Sequence, residues 1–316
     1  MTIVVTIALL CFAMNGSAQT TKQQLQKGDS LYNIGYFEKA VMWYTKAANQ
    51  GNDSAQYNLA VCYYNGQGVQ QDYSNAMEWY LKAANQGHAV AQYSVGVLYY
   101  LGLGVTQDYS KAAEWYKKAA DQGLAAAQCN LGEIYENGLG VSQDYYKAVE
   151  LYYKAACQGD AVAQCNLGAC YELGHGVYQN FSKAVDWYIK SANQGNAMAQ
   201  CNLGLCCYNG RGLSKDIAKA VEWLDKSANN DYARAQYLLG YCFENGYGVL
   251  QNYSKAVEWY TKAANQGLAD AQYNLGLCYY KGDGVTKSIP EAKKWFKMAA
   301  AQGHQAAFDA LANLLK

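Results

Sequence analysis

A single proline, Pro290, stands in 316 residues. That scarcity excludes proline-rich linkers and fits a backbone that is almost wholly hydrogen-bonded helix. Charge of neither sign is in excess: 25 basic side chains meet 25 acidic ones, for a formal charge of zero. The usual electrostatic ground for nucleic acid or an anionic membrane as partner is therefore missing. Histidine is scarce too, with only His88, His175 and His304, and no Cys-x-x-Cys pair accompanies them, so no zinc site or other cofactor is expected. Neither Ser-x-x-Lys, Lys-Thr-Gly nor His-Glu-x-x-His occurs.

What the chain has instead is a period. Gly51, Gly87, Gly123, Gly159, Gly195, Gly267 and Gly303 lie 36 residues apart or, across Asp231, twice that. Ala55, Ala91, Ala127, Ala163, Ala199, Ala235 and Ala271 keep the same step. Within one unit Ala55, Leu59 and Tyr63 fall at i, i+4 and i+8, and Ala76, Trp79, Tyr80, Ala83 and Ala84 at i, i+3, i+4, i+7 and i+8. Each run makes one apolar helical stripe, so each unit predicts an amphipathic helical hairpin. Between the runs, Gly66 and Gly68 supply a turn that can hold positive φ.

Asp72, Asp108, Asp144, Asn180, Asp216, Asn252 and Ser288 stand where the second helix of each unit should begin. They are read as N-caps for first-turn N–H groups rather than as catalytic acids. Ser288-Ile289-Pro290-Glu291 reads as a capping box, with the proline in the first turn, where its missing N–H costs little.

Unit 91–126 carries Ala91, Gly96, Tyr99, Gly102, Gly104, Val105, Asp108, Tyr109, Ala112, Trp115, Tyr116, Ala119, Ala120 and Gly123. This pattern resembles the Sel1-like repeat, a longer relative of the tetratricopeptide repeat, and the likeness extends over residues 22–316. The resemblance implies an all-α fold, a right-handed α-solenoid superhelix of helical hairpins. Its expected parts are a tetratricopeptide-like N-terminal capping hairpin over 22–54 and seven repeats over 55–306 (55–90, 91–126, 127–162, 163–198, 199–234, 235–270 and 271–306), with a capping helix over 307–316.

The apolar run from Ile3 to Met14, followed by Gly16-Ser17-Ala18, predicts a secretory signal peptide over 1–18 and hence an exported protein, periplasmic, secreted or in the lumen of the secretory pathway. A basic leader is absent, and the alternative is an uncleaved apolar tail on a cytosolic chain. The run is too short for a comfortable transmembrane helix, so no stable membrane insertion of the mature chain is expected. Leu10 before Cys11 argues against lipidation.

Eleven cysteines in an exported chain would suggest a disulfide framework. Repeat phase opposes that for most of them. Cys62, Cys170, Cys206, Cys242 and Cys278 alternate with Leu98 and Ile134, and Cys129, Cys165 and Cys201 with tyrosine, as small apolar residues do. Equal phases in neighbouring units should stand about 8–10 Å apart, too far for a bridge. Cys157 departs from its phase, and its spacing to Cys165 is similar to the helix-joining disulfide of cysteine-rich bacterial Sel1-like proteins. The resemblance implies a bridge there.

Tryptophan at 43, 79, 115, 187, 223, 259 and 295 keeps one phase, broken by Leu151, and is assigned to packing between units. Glu78–Lys82, Glu114–Lys118, Glu150–Lys154, Asp186–Lys190, Glu222–Lys226 and Glu258–Lys262 are expected to pair at i, i+4 on the exposed helices. Function must then lie on first-helix positions beside the core stripe. If the first helices line a concave groove, as the resemblance implies, its ends carry Tyr57, Tyr64, Tyr93, Tyr100, Tyr208, Tyr237, Tyr241, Tyr273 and Tyr280. Its middle carries Glu133, Glu136 and Glu172, with an asparagine ladder of Asn58, Asn130, Asn166, Asn202 and Asn274 alongside. Tyrosine offers broad contact with a polar tip, and asparagine can pair with peptide backbone. The expected function is a non-enzymatic scaffold for a protein or peptide partner. The alternative is a cell-envelope hydrolase of the β-lactamase or penicillin-binding type described for some cysteine-rich Sel1-like proteins, which no motif supports. The sequence leaves the oligomeric state open.

Overall fold

In the computed structural model, residues 20–314 are described, and every regular element among them is an α-helix. The first, α1, covers residues 20–33. There follow α2 (Phe37–Asn49), α3 (Asp53–Asn65), α4 (Tyr73–Asn85), α5 (Ala89–Leu101), α6 (Tyr109–Asp121), α7 (Ala125–Asn137) and α8 (Tyr145–Cys157). Then come α9 (Ala161–Leu173), α10 (Phe181–Asn193), α11 (Ala197–Asn209), α12 (Ile217–Asn229), α13 (Ala233–Asn245), α14 (Tyr253–Asn265), α15 (Ala269–Lys281), α16 (Ile289–Ala301) and α17 (Gln305–Asn313). The all-α solenoid of helical hairpins is thus present, odd-numbered helices coming first in each hairpin. The expected signal peptide over 1–18 lies outside the described residues. The chain divides after Gln158 into two compact units, α1–α8 and α9–α17.

Within six of the eight described hairpins a large ring meets a glycine; α3–α4 has Ala60 at that position, and in α11–α12 Gly204 meets Leu224. The ring of Tyr116 on α6 lies against Gly96 on α5 so closely that a Cβ there would stand 2.5 Å from the ring. Tyr152 against Gly132, Tyr188 against Gly168, Tyr260 against Gly240 and Phe296 against Gly276 repeat the contact. In the first hairpin Tyr44 meets Gly28 in the same way, so α1 and α2 close on the joint used by the full repeats.

Between hairpins the second turn glycine makes the joint. Gly104 has φ +68°, and a Cβ on it would fall 2.4 Å from the carbonyl carbon of Tyr73 at the start of α4. Only glycine satisfies both conditions at once. The N-caps stand as the sequence predicts: Asp72, Asp108, Asp144, Asn180, Asp216, Asn252 and Ser288 each accept a hydrogen bond from a first-turn N–H. Such a cap stabilises by about 1 kcal/mol.

A buried polar ladder was not anticipated. Gln92 is 7% exposed; its side-chain amide donates to the Ala84 carbonyl at 3.1 Å, and its side-chain oxygen accepts from Gln122 at 2.8 Å. Gln56, Gln128, Gln200, Gln236 and Gln272 repeat both bonds, Asn230 replacing the donor to Gln200. Each glutamine therefore ties the last turn of one hairpin to the first helix of the next and to the end of the following second helix. The signal was in the sequence: glutamine follows the opening alanine in all seven units.

The outer ion pairs differ from expectation. Lys82, Lys118, Lys190, Lys226 and Lys262 lie over the rings of Trp79, Trp115, Trp187, Trp223 and Trp259, with Nζ 3.6–4.1 Å from the ring centroids. None of the five reaches its expected acid. Only Lys154, whose neighbour in that phase is Leu151, bonds its acid, Glu150, at 2.6 Å. An ammonium three residues after an indole gains more over the ring face than from a solvent-exposed carboxylate.

Candidate functional site

The first-helix tyrosines are half-buried wedges. Tyr57, Tyr93, Tyr237 and Tyr273 tilt against Tyr80, Tyr116, Tyr260 and Phe296 at ring centroid distances of 5.7, 5.6, 5.9 and 5.7 Å. Tyr57 and Tyr273 also stack on His88 and His304 at 4.9 and 4.7 Å. Those histidines cap the next first helix, Nδ1 accepting from the N–H of Ala91 and Ala307. One ring face of each tyrosine is thus committed to architecture.

The second tyrosine phase is Tyr64, Tyr100, Tyr208 and Tyr280, the first three half-buried. Tyr64 and Tyr100 meet Tyr73 and Tyr109 edge-on, both at 5.3 Å. Tyr208 and Tyr241 converge on Tyr247, a turn residue absent from the expected set, at 6.2 and 5.8 Å. Tyr280 of this phase is exposed, as is Tyr241, which holds the repeat position of Val61 and Glu133.

The carboxylates expected to make an acidic groove face inward in part. Glu136 and Glu172 accept from the hydroxyls of buried Tyr152 and Tyr188, both at 2.7 Å, and Glu133 from Tyr100 at 3.2 Å. Arg211 stands 3.6 Å from Glu172. Glu244, which the sequence reading passed over, accepts from Tyr260 at 2.6 Å. Glu136, Glu172 and Glu244 share a pattern: each precedes by 16 residues a tyrosine whose buried hydroxyl needs an acceptor. The glutamate position holds tyrosine in the other full repeats, Tyr64 and Tyr100 before Tyr80 and Tyr116, and Tyr208 and Tyr280 before Leu224 and Phe296. Burial and then the carboxylate bond push the Tyr188 and Tyr260 hydroxyls well above their ordinary pKa, so both remain donors.

Three of the ladder asparagines are likewise engaged. Asn58 donates to Asp29 at 3.0 Å, Asn130 to the Tyr93 hydroxyl at 3.3 Å and Asn274 to the Tyr260 hydroxyl at 3.3 Å. Asn166 and Asn202 are half-buried. Asn130 and Asn274 thus order the tyrosines beside them.

Two cavities gather the predicted residues. In the first unit, about 420 Å³ opens between Asp29, Tyr32, Tyr44, Tyr57, Asn58 and Val61. In the second, about 380 Å³ opens between Tyr273, Leu277, Tyr280, Phe296 and α17. Both are aromatic with a few polar groups, the composition of a site for an apolar side chain with a polar tip. Burial pushes the Cys62 and Cys242 thiols up to about 11, and Cys165, Cys201, Cys206 and Cys278 up to about 12, so these six stay protonated near neutrality. Cys157 is exposed and Cys165 buried, each a free thiol, and the bridge implied by the resemblance is not formed in this structure. Among the described residues no group of histidine, cysteine and carboxylate side chains could hold a metal ion, and no helix is long and apolar enough to cross a membrane.

Comparison with known proteins agrees with this architecture. The Sel1 repeat profile matches residues 29–52, 53–88, 89–124, 125–160, 161–196, 197–232, 233–268 and 269–304. The matched repeats thus start two residues before the expected boundaries, and one falls inside the 22–54 hairpin. No curated protein matches the sequence. Among solved structures, the chain is similar to c5321, a protective antigen of uropathogenic Escherichia coli with an SLR fold (TM-score 0.77, 37% identity). The alignment covers 96% of this chain and 66% of c5321. It is also similar to a Sel1 repeat protein from Oxalobacter formigenes (TM-score 0.75, 33% identity, 97% of this chain and 91% of the other). Cut9, solved as a hetero-tetramer with Hcn1, shares the fold at 18% identity (TM-score 0.56, 96% of this chain and 57% of the other). With eight matched repeats and two relatives above 30% identity, the chain belongs to the Sel1 repeat family.

Proposed function

We propose that this chain is a non-enzymatic scaffold that holds a protein or peptide partner against its first helices, with aromatic or apolar anchors entering the cavities beside Tyr57 and Tyr273. The observation that carries this reading is the pair of tyrosine-lined cavities, one in each unit, on the helices not covered by the tryptophan–lysine face. Sel1 and related helical repeats mediate protein–protein contacts as a class, and Cut9 was solved with a protein partner. The apolar run Ile3–Met14 and the small residues Gly16-Ser17-Ala18 support export, which puts the partner in the periplasm, the secretory lumen or outside the cell.

The test is quantitative capture from an envelope extract by the native chain and by a Tyr57→Ala, Tyr273→Ala variant, both checked for helicity by circular dichroism. Partners bound through the cavities should fall about tenfold or more in the variant, the effect of one truncated anchor of about 1.4 kcal/mol or larger. Identical partner sets from two equally folded proteins would overturn the reading.

A further inference from the structure

On the outer face, one repeat leaves open what the others close. In the 89–124 repeat, half-buried Trp115 packs on the cluster of Ala84, Val95 and Leu98, with Leu81 and Tyr99 beside it. Lys118 covers its outer ring face at 3.6 Å. In the 125–160 repeat the same position is Leu151, which reaches the corresponding cluster of Ala120, Leu131 and Ile134. It is too short to fill the space above, and a cleft of about 480 Å³ remains, floored by Ala120, Leu131, Tyr135 and Leu151. Lys117 stands in the phase of Leu81, so the apolar wall is withdrawn on that side as well. The rim charges balance one another: Lys117 pairs with Asp121 at 2.7 Å, Lys154 with Glu150 at 2.6 Å and Lys147 with Asp144 at 3.2 Å.

We propose that this cleft receives a tryptophan side chain from a partner protein, completing the aromatic cell that the chain builds for itself in the other repeats. The template is internal. Six lysines cover tryptophan rings at 3.6–4.6 Å elsewhere on this face. Lys154 occupies the same position relative to the cleft, held only by an exposed ion pair that a ring beneath it can outcompete. A neutral aromatic fits the balanced rim, whereas an anionic or cationic guest would break one of its pairs. The size lies within the range of small-molecule sites, about 300–1,000 Å³, so volume admits a single indole. A second copy of this chain is not the donor, because its seven tryptophans are all half-buried or buried.

The probe is N-acetyl-L-tryptophanamide, titrated into the full chain with leucine methyls labelled for NMR. The native protein should show saturable shifts of the Leu151 and Leu131 methyls, and N-acetyl-L-leucinamide should bind several-fold more weakly. Leu151→Trp restores the residue of the other repeats, so it should fold and abolish the Leu131 shifts; Lys154→Met should weaken binding about two- to fivefold. Absence of saturable shifts in the native chain, equal response to the leucine probe, or undiminished binding in Leu151→Trp would each overturn the proposal. The Tyr57→Ala, Tyr273→Ala variant should bind the probe as the native chain does, which separates this cleft from the first-helix cavities.

Discussion

The cells around Trp115 and Leu151 are consecutive copies of one design within the first unit, and they differ in what covers them rather than in how they are built. Both rest on a glycine pressed against a tyrosine ring, Gly96 on Tyr116 and Gly132 on Tyr152. Both are crossed by a buried glutamine, Gln92 and Gln128, and both begin their second helix on an aspartate cap, Asp108 and Asp144. One cell is roofed by indole and ammonium; the other is open, its lysine drawn aside to Glu150. The difference teaches that the tryptophan phase is a cover and the glycine, glutamine and cap positions are the frame. A frame change should therefore cost the same in both cells, and a cover change should not.

The largest effects test the frame. Gly104→Ala and Gly140→Ala each place a Cβ at positive φ, +68° and +66°, and 2.4 Å from backbone of the preceding second helix. Each should destabilise by about 3 kcal/mol, combining the left-handed penalty with overpacking. Urea titration followed by circular dichroism reads this directly, and unequal losses would break the claim of a shared frame. Next come Gln92→Leu and Gln128→Leu, which remove the donor to Ala84 or Ala120 and the acceptor of Gln122 or Gln158. The Ala84 and Ala120 carbonyls keep the N–H of Gly87 and Gly123, and Gln122 and Gln158 are exposed, so the cost is that of two lost hydrogen bonds at about 0.5–1.5 kcal/mol each in either cell.

This division explains what was legible in the sequence. Alanines, turn glycines and aspartate caps act through local geometry, so their spacing announced the hairpins before any contact was known. Gln92 was equally regular but passed unread, because its partners lie 8 residues back and 30 residues on, across two joints that only the packed fold brings together. The candidate site was legible by position and not by availability. Tyr57 and Tyr273 do line cavities, but half of each ring is spent on His88 or His304, and Glu136 and Glu172 serve buried hydroxyls. Which neighbour a long side chain chooses is a competition among contacts. The outer lysines show it, since acid four residues before and indole three residues before were both available in sequence.

Exchanging the covers sharpens the comparison at smaller cost. Trp115→Leu should lose about 1–2 kcal/mol of half-buried apolar surface, and Leu151→Trp should gain about 1 kcal/mol, both read as shifts in urea midpoint.

The smallest expected effect is the most discriminating, because it separates a lysine held by a ring from one held by a carboxylate. Lys118→Met removes an ammonium from the face of Trp115, a contact worth about 0.5–1 kcal/mol at an exposed site. Lys154→Met removes an i, i+4 ion pair with Glu150, worth about 0.3–0.5 kcal/mol. Salt then parts the two further. A Debye length of about 3 Å at 1 M salt screens the exposed ion pair, so the Lys154 effect should shrink toward zero between low salt and 1 M. The Lys118 effect should persist in larger part, since the ring shields one side of the ammonium from solvent. In Leu151→Trp the Lys154→Met effect should acquire the magnitude and salt resistance of Lys118→Met. If it keeps the salt sensitivity of an ion pair, the lysine is not choosing the ring, and the outer face is organised by charge after all.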